Sequence, residues 1–221
     1  MISGAPVPET PAEAPVHAPA APEQLGEEAQ AAQADDLYAP VAARLGVERA
    51  VAKVALLSAM YGGTAGQAAA ALKGLEREYP VAIRVLEAAY AAGVRGEAVR
   101  TFGGRLIPAA RFARKVAPGA DPAIDAARGR FTRNAIIQGA AAEFFKAWAA
   151  TVRATTRDLG AQIVLCLHDE LLVHVPRDNA QEAAARIDAA LQDSARRWTG
   201  GAPVRFVTDT MVIERWSDAK D

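Results

Sequence analysis

Three polar residues, His168, Asp169 and Glu170, stand between two largely apolar runs, residues 165–167 and 171–176. An apolar run, a short polar break and a second apolar run predict a strand, a tight turn and a second strand. Such a hairpin would hold the Asp169 carboxylate at its tip, where a metal ion and a polyanionic substrate could reach it. The alternative interpretation is an ordinary polar turn, because most hairpin tips carry polar residues without any chemistry.

Four residues spaced four apart, Arg49, Lys53, Leu57 and Tyr61, predict one face of a helix. Two cations followed by an aromatic ring could bind a nucleoside triphosphate, since the cations neutralise phosphates and the ring lies against a base. The alternative is a solvated helix with one tyrosine in the core. This face is therefore a candidate nucleotide-binding surface.

Another candidate phosphate contact, Arg105, follows Gly103 and Gly104 in a segment that begins at Thr101. Glycine permits the positive φ angles that tight turns require. A turn at the two glycines would present Arg105 to a phosphate of a nucleic acid, a contact that positions the strand without reading its sequence. A glycine hairpin that carries a surface arginine is the alternative.

Arg130, Asn134 and Gln138 also lie four residues apart, and they form a polar stripe on an otherwise apolar helix. Amide side chains at this spacing can reach the acceptors that every base pair presents in the minor groove. Such contacts test the shape of a base pair without reading its sequence. The alternative is a set of amides whose hydrogen bonds are satisfied within the core.

The elements that must position these residues follow from apolar periodicity and from Gly and Pro breaks. Helices are predicted over residues 41–45, 48–61, 67–75, 81–92, 124–158 and 178–198, with Gly139 as a candidate break in the longest. A β-turn element is predicted over residues 99–108, a hairpin over 162–175 and a final strand over 204–213. Helices grouped around a small antiparallel sheet predict an α+β fold.

Charge is distributed unevenly along the chain. Residues 1–34 are rich in Pro, Ala and Glu, and we predict that this tail is disordered because it cannot bury enough apolar surface to offset its chain entropy. Residues 1–43 hold seven of the 26 acidic residues and none of the 25 Lys and Arg residues, which leaves residues 44–221 with a net charge of +6. A basic body of this kind suits a polyanion-binding protein.

Composition also restricts the compartment. No apolar stretch approaches the roughly 20 residues that span a bilayer, and the N-terminus lacks the pattern of a signal peptide. We therefore expect no contact with a membrane. Cys166 is the single cysteine, so no internal disulfide can form. These features predict a cytoplasmic protein in a reducing compartment, and they leave the oligomeric state open.

The four candidate segments occur in the order found in family A (DNA polymerase I-like) DNA polymerases, and residues 36–220 resemble that family. The matching patterns are Arg-x3-Lys-x7-Tyr-Gly, Thr-x-x-Gly-Arg, Arg-x3-Asn-x3-Gln-Gly and the His-Asp-Glu tip. The chain looks most similar to actinobacterial polymerases that pair this domain with a 3′–5′ exonuclease. The resemblance implies DNA-directed DNA polymerase activity, with helical fingers inserted into a palm.

The resemblance also implies a role for each candidate residue. Asp169 would be a catalytic metal ligand, and Glu170 would be an auxiliary catalytic carboxylate. Nucleotide binding would fall to Arg49, Lys53 and Tyr61, and DNA binding to Arg105, Arg130, Asn134, Gln138 and His168. The implied cofactors are two Mg²⁺ ions in the intact enzyme, and the implied partners are primer–template DNA and deoxynucleoside triphosphates.

Four positions depart from the family pattern. Leu57 stands where the family usually has an aromatic residue, and Tyr38 replaces a phosphate-contacting His. Glu143 replaces an Asp, and Cys166 replaces a Gln. Leu57 falls on the predicted nucleotide-binding surface, so we expect this departure to affect nucleotide affinity and sugar discrimination.

Family A polymerases take a first catalytic aspartate from a strand that precedes the segment at Asp36, and no such strand is recognised here. We therefore expect residues 35–221 to form polymerase fingers and a partial palm, without that strand or a thumb, and to be inactive alone. Two alternatives stay open. The chain could be a non-catalytic DNA-binding remnant, or an unrelated α+β hydrolase that uses His168 and Asp169.

Overall fold

The computed structural model describes residues 36–61, 68–112 and 115–219. The α-helices in this part of the chain are α1 (Tyr38–Leu45), α2 (Arg49–Tyr61), α3 (Ala68–Glu78), α4 (Pro80–Val94), α5 (Pro122–Thr155) and α6 (Ala180–Trp198). The strands are β1 (Val99–Arg100), β2 (Leu106–Ile107), β3 (Gln162–Leu167) and β4 (Glu170–His174). Helices around small antiparallel sheets confirm the predicted α+β fold.

Local sequence signals set the helix ends. α1 ends at Gly46, where a φ of 64° lets the backbone N–H bond two preceding carbonyls. α5 begins after Asp121, whose carboxylate accepts hydrogen bonds from two N–H groups of the first turn. Pro80 and Pro122 open α4 and α5, where the missing proline N–H costs no helical bond.

Alanine builds the core between α1, α2 and α3. Ala52, Ala55 and Ala59 of α2 are buried with Val41 of α1 and Leu75 of α3. Small side chains at a helix crossing let the two backbones approach closely. The inner face of α2 is therefore buried in this core. The outer face of α2 carries the predicted nucleotide-binding residues and is accessible to solvent.

A second core joins the C-terminal half of α5 to α6 and to the β3–β4 hairpin. Phe144, Trp148 and Val152 of α5 are buried together with Leu191 of α6. Leu171 of β4 packs against this cluster from the hairpin. The apolar side chains thus hold the hairpin along its length and leave its polar tip exposed.

α4 packs along the N-terminal half of α5 because two glycines remove side chains at the crossing. A Cβ atom at Gly93 would overlap the Thr132 hydroxyl, and one at Gly129 would overlap the ring of Tyr90. Thr132 Oγ1 donates a 2.7 Å hydrogen bond to the Ala89 carbonyl. This close crossing fixes α4 against the helix that carries the polar stripe.

The first turns of α5 contain a buried ion pair that the sequence analysis did not identify. Arg128 is fully buried, and its guanidinium contacts the Asp125 carboxylate and the Val116 carbonyl. Asp125 also accepts a 2.9 Å hydrogen bond from the Gly119 N–H. The pair ties the preceding loop to the helix, and removing one partner would leave a charge buried without compensation.

β3 and β4 form the predicted hairpin, but the predicted strand over residues 204–213 is wrong, because the structure assigns no strand there. That segment is held by helices instead. Gln192 Nε2 of α6 donates a 3.1 Å hydrogen bond to the Phe206 carbonyl, and the Phe206 ring stacks on Phe144 with centroids 4.1 Å apart. The sequence pattern supplies the apolar side chains of a strand, but none of the described strands pairs with this segment.

Three other predictions concern continuity, the tail and the membrane. α5 is continuous through Gly139, so the candidate break is wrong. The glycine is needed for another reason, because a Cβ there would overlap the Thr101 methyl group. The predicted disordered tail, residues 1–34, lies outside the described residues. Within the described ranges, no helix has both the length and the apolar run needed to cross a membrane.

Candidate functional site

The β3–β4 hairpin turns through two residues, His168 and Asp169, because Leu167 pairs directly with Glu170. His168 has a φ of 53°, and no other non-glycine residue in the described ranges has a positive φ. Two-residue hairpin turns require such angles, and histidine tolerates them better than a β-branched residue does. The turn leaves the Asp169 side chain exposed, with no hydrogen bond or ion pair to any described residue.

The hairpin tip supplies two neighbouring carboxylates, Asp169 and Glu170, as possible metal ligands. Mg²⁺ prefers oxygen ligands in an octahedral arrangement and usually combines one or two carboxylates with water and substrate phosphates. Residues 36–61, 68–112 and 115–219 bring no three His, Cys, Asp or Glu side chains close enough to hold an ion. At the hairpin tip, water and substrate phosphates would therefore have to supply the remaining ligands of an ion held by Asp169 and Glu170.

The two predicted nucleotide-binding cations lie against one aromatic ring. The Arg49 guanidinium carbon is 5.3 Å from the centroid of the Tyr38 ring, and Lys53 Nζ is 5.7 Å from it. Arg49 Nε also donates a 2.6 Å hydrogen bond to Asp36 Oδ2. This hydrogen bond lowers the pKa of Asp36 below its usual range and raises the pKa of Arg49, so both groups are fully charged at neutral pH.

The aromatic end of the α2 face meets the polar stripe of α5. Gln138 Nε2 donates a 3.0 Å hydrogen bond to the Tyr61 hydroxyl, across 77 residues of sequence. Both side chains remain exposed, so the contact is accessible to a ligand. Two segments that the sequence assigned to nucleotide binding and to DNA binding therefore form one surface.

Arg105 lies beside a carboxylate that the sequence analysis had given no role. Glu143 of α5 accepts 2.8 Å hydrogen bonds from the Thr101 hydroxyl and a 3.1 Å bond from the Gly103 N–H. Arg105 Nε is 3.1 Å from Glu143 Oε1, and the two side chains are 49% and 11% exposed. Glu143 thus anchors the glycine turn to α5 and holds one side of the guanidinium, while the rest of Arg105 faces solvent.

Arg130 lines an open cleft of about 360 Å³ between α2, α3, α4 and α5. Arg133, on the same wall, pairs with Glu87 and lies 5.3 Å from the centroid of the Tyr90 ring. Arg130 has no ionic partner among the described residues, so its charge is exposed in the cleft. The carboxylates of Glu76 and Glu87 line the same cleft, so its charge is mixed.

Asn134 lies between Arg130 and Gln138 and differs from both. Its Oδ1 atom is buried and has no hydrogen-bond partner in the described part of the chain. A buried acceptor without a donor costs about 1–3 kcal/mol. The alternative interpretation, in which the core satisfies the amides of the polar stripe, therefore fails for Asn134, and Gln138 is bonded to Tyr61 at the surface rather than in the core.

In the described structure, several of the predicted site residues contact one another or share a partner. Arg49 and Lys53 share Tyr38, Tyr61 meets Gln138, and Arg105 meets Glu143. His168, Asp169 and Glu170 are together at the hairpin tip. The sequence did not identify Asp36 as the partner of Arg49 or Glu143 as the partner of Arg105. The one available signal was that each carboxylate carries the charge opposite to that of the predicted cation.

Comparisons with known proteins identify the family of the chain. The profile of DNA polymerase family A matches residues 48–218. DNA polymerase theta from Caenorhabditis elegans is 37% identical over 70 residues, which are 30% of this chain and 4% of that protein. This chain therefore spans a small part of the length of that curated relative.

A solved structure shares the fold. It is the POL domain of Pol1 from M. smegmatis, in complex with a DNA primer-template and a dNTP. The TM-score is 0.62 at 22% sequence identity, and the match covers 76% of this chain. It covers 33% of the matched chain, so the present sequence spans about a third of that structure.

Proposed function

Because the chain belongs to DNA polymerase family A, we propose that it takes part in template-directed DNA synthesis from deoxynucleoside triphosphates. In this proposal Arg49, Lys53 and Tyr61 bind the incoming nucleotide. Arg105, Arg130, Asn134, Gln138 and His168 bind the primer–template DNA, and Asp169 and Glu170 are the catalytic carboxylates. In this proposal the protein works in the cytoplasm.

The observation that carries the proposal is the hydrogen bond between Tyr61 and Gln138. A polymerase must bind a nucleotide next to the base pair that it has just formed, so the residues for these two tasks must be adjacent. The bond joins the nucleotide-binding face of α2 to the polar stripe of α5. In this proposal Arg130, the exposed first residue of the same stripe, adds a contact to the DNA.

The proposed division of labour follows the two cores. Helices α1 to α3, around the alanine core, are the fingers that carry the nucleotide-binding face. The β3–β4 hairpin with α6 and the C-terminal half of α5 is the partial palm that carries Asp169. Residues 35–221 together make up this fingers and palm unit.

The proposed chemistry is nucleotidyl transfer with two Mg²⁺ ions in the complete active site. A two-metal site needs carboxylates from more than one place in the fold, and in this proposal the hairpin tip supplies one of these places and the others lie outside the described residues. We therefore expect the isolated chain to bind DNA without extending a primer. The same observation favours a second candidate function, a DNA-binding protein that has lost catalysis.

Two measurements on the purified chain test the proposal. The first is the binding of a fluorescently labelled primer–template, followed by anisotropy as the salt concentration rises. Affinity should fall with salt, and Arg130→Ala should weaken binding more than Arg153→Ala, a matched exposed arginine near the far end of the same helix. Absence of binding at low salt would contradict both candidate functions.

The second measurement is primer extension with Mg²⁺ and all four deoxynucleotides, with Asp169→Ala as the control. Extension that is lost in the variant would show that the chain completes the metal site itself. Binding without extension would agree with the proposal for the isolated chain. Extension that persists in Asp169→Ala would contradict the role of Asp169.

A further inference from the structure

The ring of Tyr38, the first residue of α1, lies against two cations of α2. Its ring lies within 5.3 Å of the Arg49 guanidinium carbon and within 5.7 Å of Lys53 Nζ. A tyrosine ring attracts a cation that lies over its face within about 6 Å of the centroid. One half-buried ring in α1 therefore contacts both cations of the nucleotide-binding face of α2.

Asp36 holds the ring and one of the cations together. Its Oδ1 atom accepts a 2.9 Å hydrogen bond from the Tyr38 N–H, and its Oδ2 atom accepts the 2.6 Å bond from Arg49 Nε. A second guanidinium bond, from Arg49 Nη2 to Asp36 Oδ1 at 3.3 Å, makes the contact forked. The carboxylate thus fixes the orientation of the guanidinium relative to the ring.

The two cations would otherwise repel each other. Like charges four residues apart destabilise a helix by about 0.2–0.5 kcal/mol, and each long side chain has many rotamers to lose when it is ordered. Asp36 neutralises one charge, and Lys53 has no carboxylate partner among the described residues. The group therefore keeps a net positive charge and a defined geometry, which are the properties that a phosphate-binding site needs.

We infer that Tyr38 is a positioning residue, whose ring holds Arg49 and Lys53 in a common orientation that binds the oligophosphate group of a nucleotide. The ring performs this task, and the hydroxyl is not required. The inference rests on the proposed function, because it assigns the phosphate group to Arg49 and Lys53. It departs from the expectation that the residue at this position contacts phosphate directly.

The test compares variants of Tyr38 that keep or remove the ring. Tyr38→Phe keeps the ring and should bind inorganic tripolyphosphate within about twofold of the wild-type affinity in low-salt calorimetry. Tyr38→Leu removes it and should lose about fivefold in affinity, the effect of weakening two exposed cation–π contacts. Tyr38→Gln, which preserves a good helix former, repeats the test with a second side chain that lacks a ring. Circular dichroism at the temperature of the binding measurement should show that each variant is folded.

Lys53→Ala separates this inference from the proposed function. Suppose that the wild type binds tripolyphosphate and that Lys53→Ala binds it weakly. If Tyr38→Leu and Tyr38→Gln then bind like the wild type, the inference is overturned and the proposed function stands. If Tyr38→Phe loses as much affinity as Tyr38→Leu, the hydroxyl contacts the phosphate and the ring is not the positioning group. If the wild type does not bind, or Lys53→Ala has no effect, both the assigned phosphate site and the inference are overturned.

Discussion

Gln138 of α5 donates a 3.0 Å hydrogen bond to the hydroxyl of Tyr61, the last residue of α2. The bond spans two helices that pack in different parts of the fold, since the inner face of α2 lies in the alanine core and α5 continues into the hairpin core. Movement of the end of α2 relative to α5 must therefore break or stretch this bond. A nucleotide that displaced Tyr61 would release Gln138 at the same moment.

The first prediction concerns the energy of this contact. Tyr61→Phe and Gln138→Ala should each lower the free energy of unfolding by less than about 1 kcal/mol, because both side chains are exposed and water replaces the lost partner. The double variant should show a coupling energy of about 0.5 kcal/mol in urea unfolding. Strictly additive effects would mean that the bond contributes nothing to stability in solution.

A larger effect is expected at Glu143. Glu143→Ala removes the acceptor of the buried Thr101 hydroxyl and of the Gly103 N–H, so we expect a loss of about 1–3 kcal/mol in unfolding free energy. Glu143→Gln keeps an acceptor oxygen and should lose less. Lys146→Ala, an exposed change three residues further along the same helix, is the control and should stay within about 0.5 kcal/mol of the wild type. Equal stability of the Ala and Gln variants would argue against the hydrogen-bonding role.

Two glycine substitutions in helices should have opposite outcomes. A Cβ at Gly93 would overlap the backbone carbonyl of Arg128, which cannot move without disturbing α5, so Gly93→Ala should cost about 2–3 kcal/mol. A Cβ at Gly74 would lie 2.9 Å from the terminal Cδ2 atom of Leu45, a flexible group. Gly74→Ala should therefore be neutral or stabilising by up to about 1 kcal/mol, through helix propensity. Chemical denaturation of the two variants distinguishes these outcomes, and a tolerated Gly93→Ala would show that α4 and α5 are not closely packed.

The ion pair between Asp158 and Arg186 predicts a dependence of stability on pH. The hydrogen bond from Arg186 lowers the pKa of Asp158 below its usual range. The pair therefore contributes stability that is fully present above the unfolded pKa of about 3.9 and is lost as the pH falls through the lower folded value. Asp158→Asn should be less stable than the wild type at pH 6, and the difference should shrink in the most acidic conditions.

The control for that experiment is Asp209→Asn, since Asp209 has no ion pair or hydrogen bond to any described residue. Asp209→Asn removes an exposed carboxylate, and at pH 6 its stability should stay close to that of the wild type. Urea titrations at pH 6 and at pH 3 or below provide the comparison. A difference for Asp158→Asn that grew on acidification would contradict the direction of the pKa shift.

Local signals in the sequence were sufficient for most of the fold. The β3–β4 hairpin and the helices were predicted from apolar periodicity and from breaks at Gly and Pro, and these signals act within a few residues. The strand predicted over residues 204–213 failed because a strand also needs a partner, and no local pattern reveals whether one is present. The helix break predicted at Gly139 failed for a similar reason. The glycine leaves room for Thr101, which is 38 residues away in the sequence.

The candidate site shows the same limit. Spacing placed Arg49 and Lys53 on one face of a helix, and this was predictable because the helical repeat is local. The contacts of Arg49 with Asp36 and of Arg105 with Glu143 depend on tertiary packing. The roles of the catalytic, nucleotide-binding and DNA-binding residues stay predictions, which the binding and extension measurements test.

The 34 residues of α5 form one uninterrupted helix of about 50 Å. This continuity restricts which insertions and deletions the helix can accept. Each residue advances a helix by about 100°, so a single insertion between Gln138 and Glu143 would rotate the C-terminal half of α5, with the hairpin core packed on it, relative to the N-terminal half. Glu143 would then be turned away from Thr101, its partner in the earlier part of the chain. Only insertions or deletions close to a whole number of turns would preserve the angular phase between the two ends of α5.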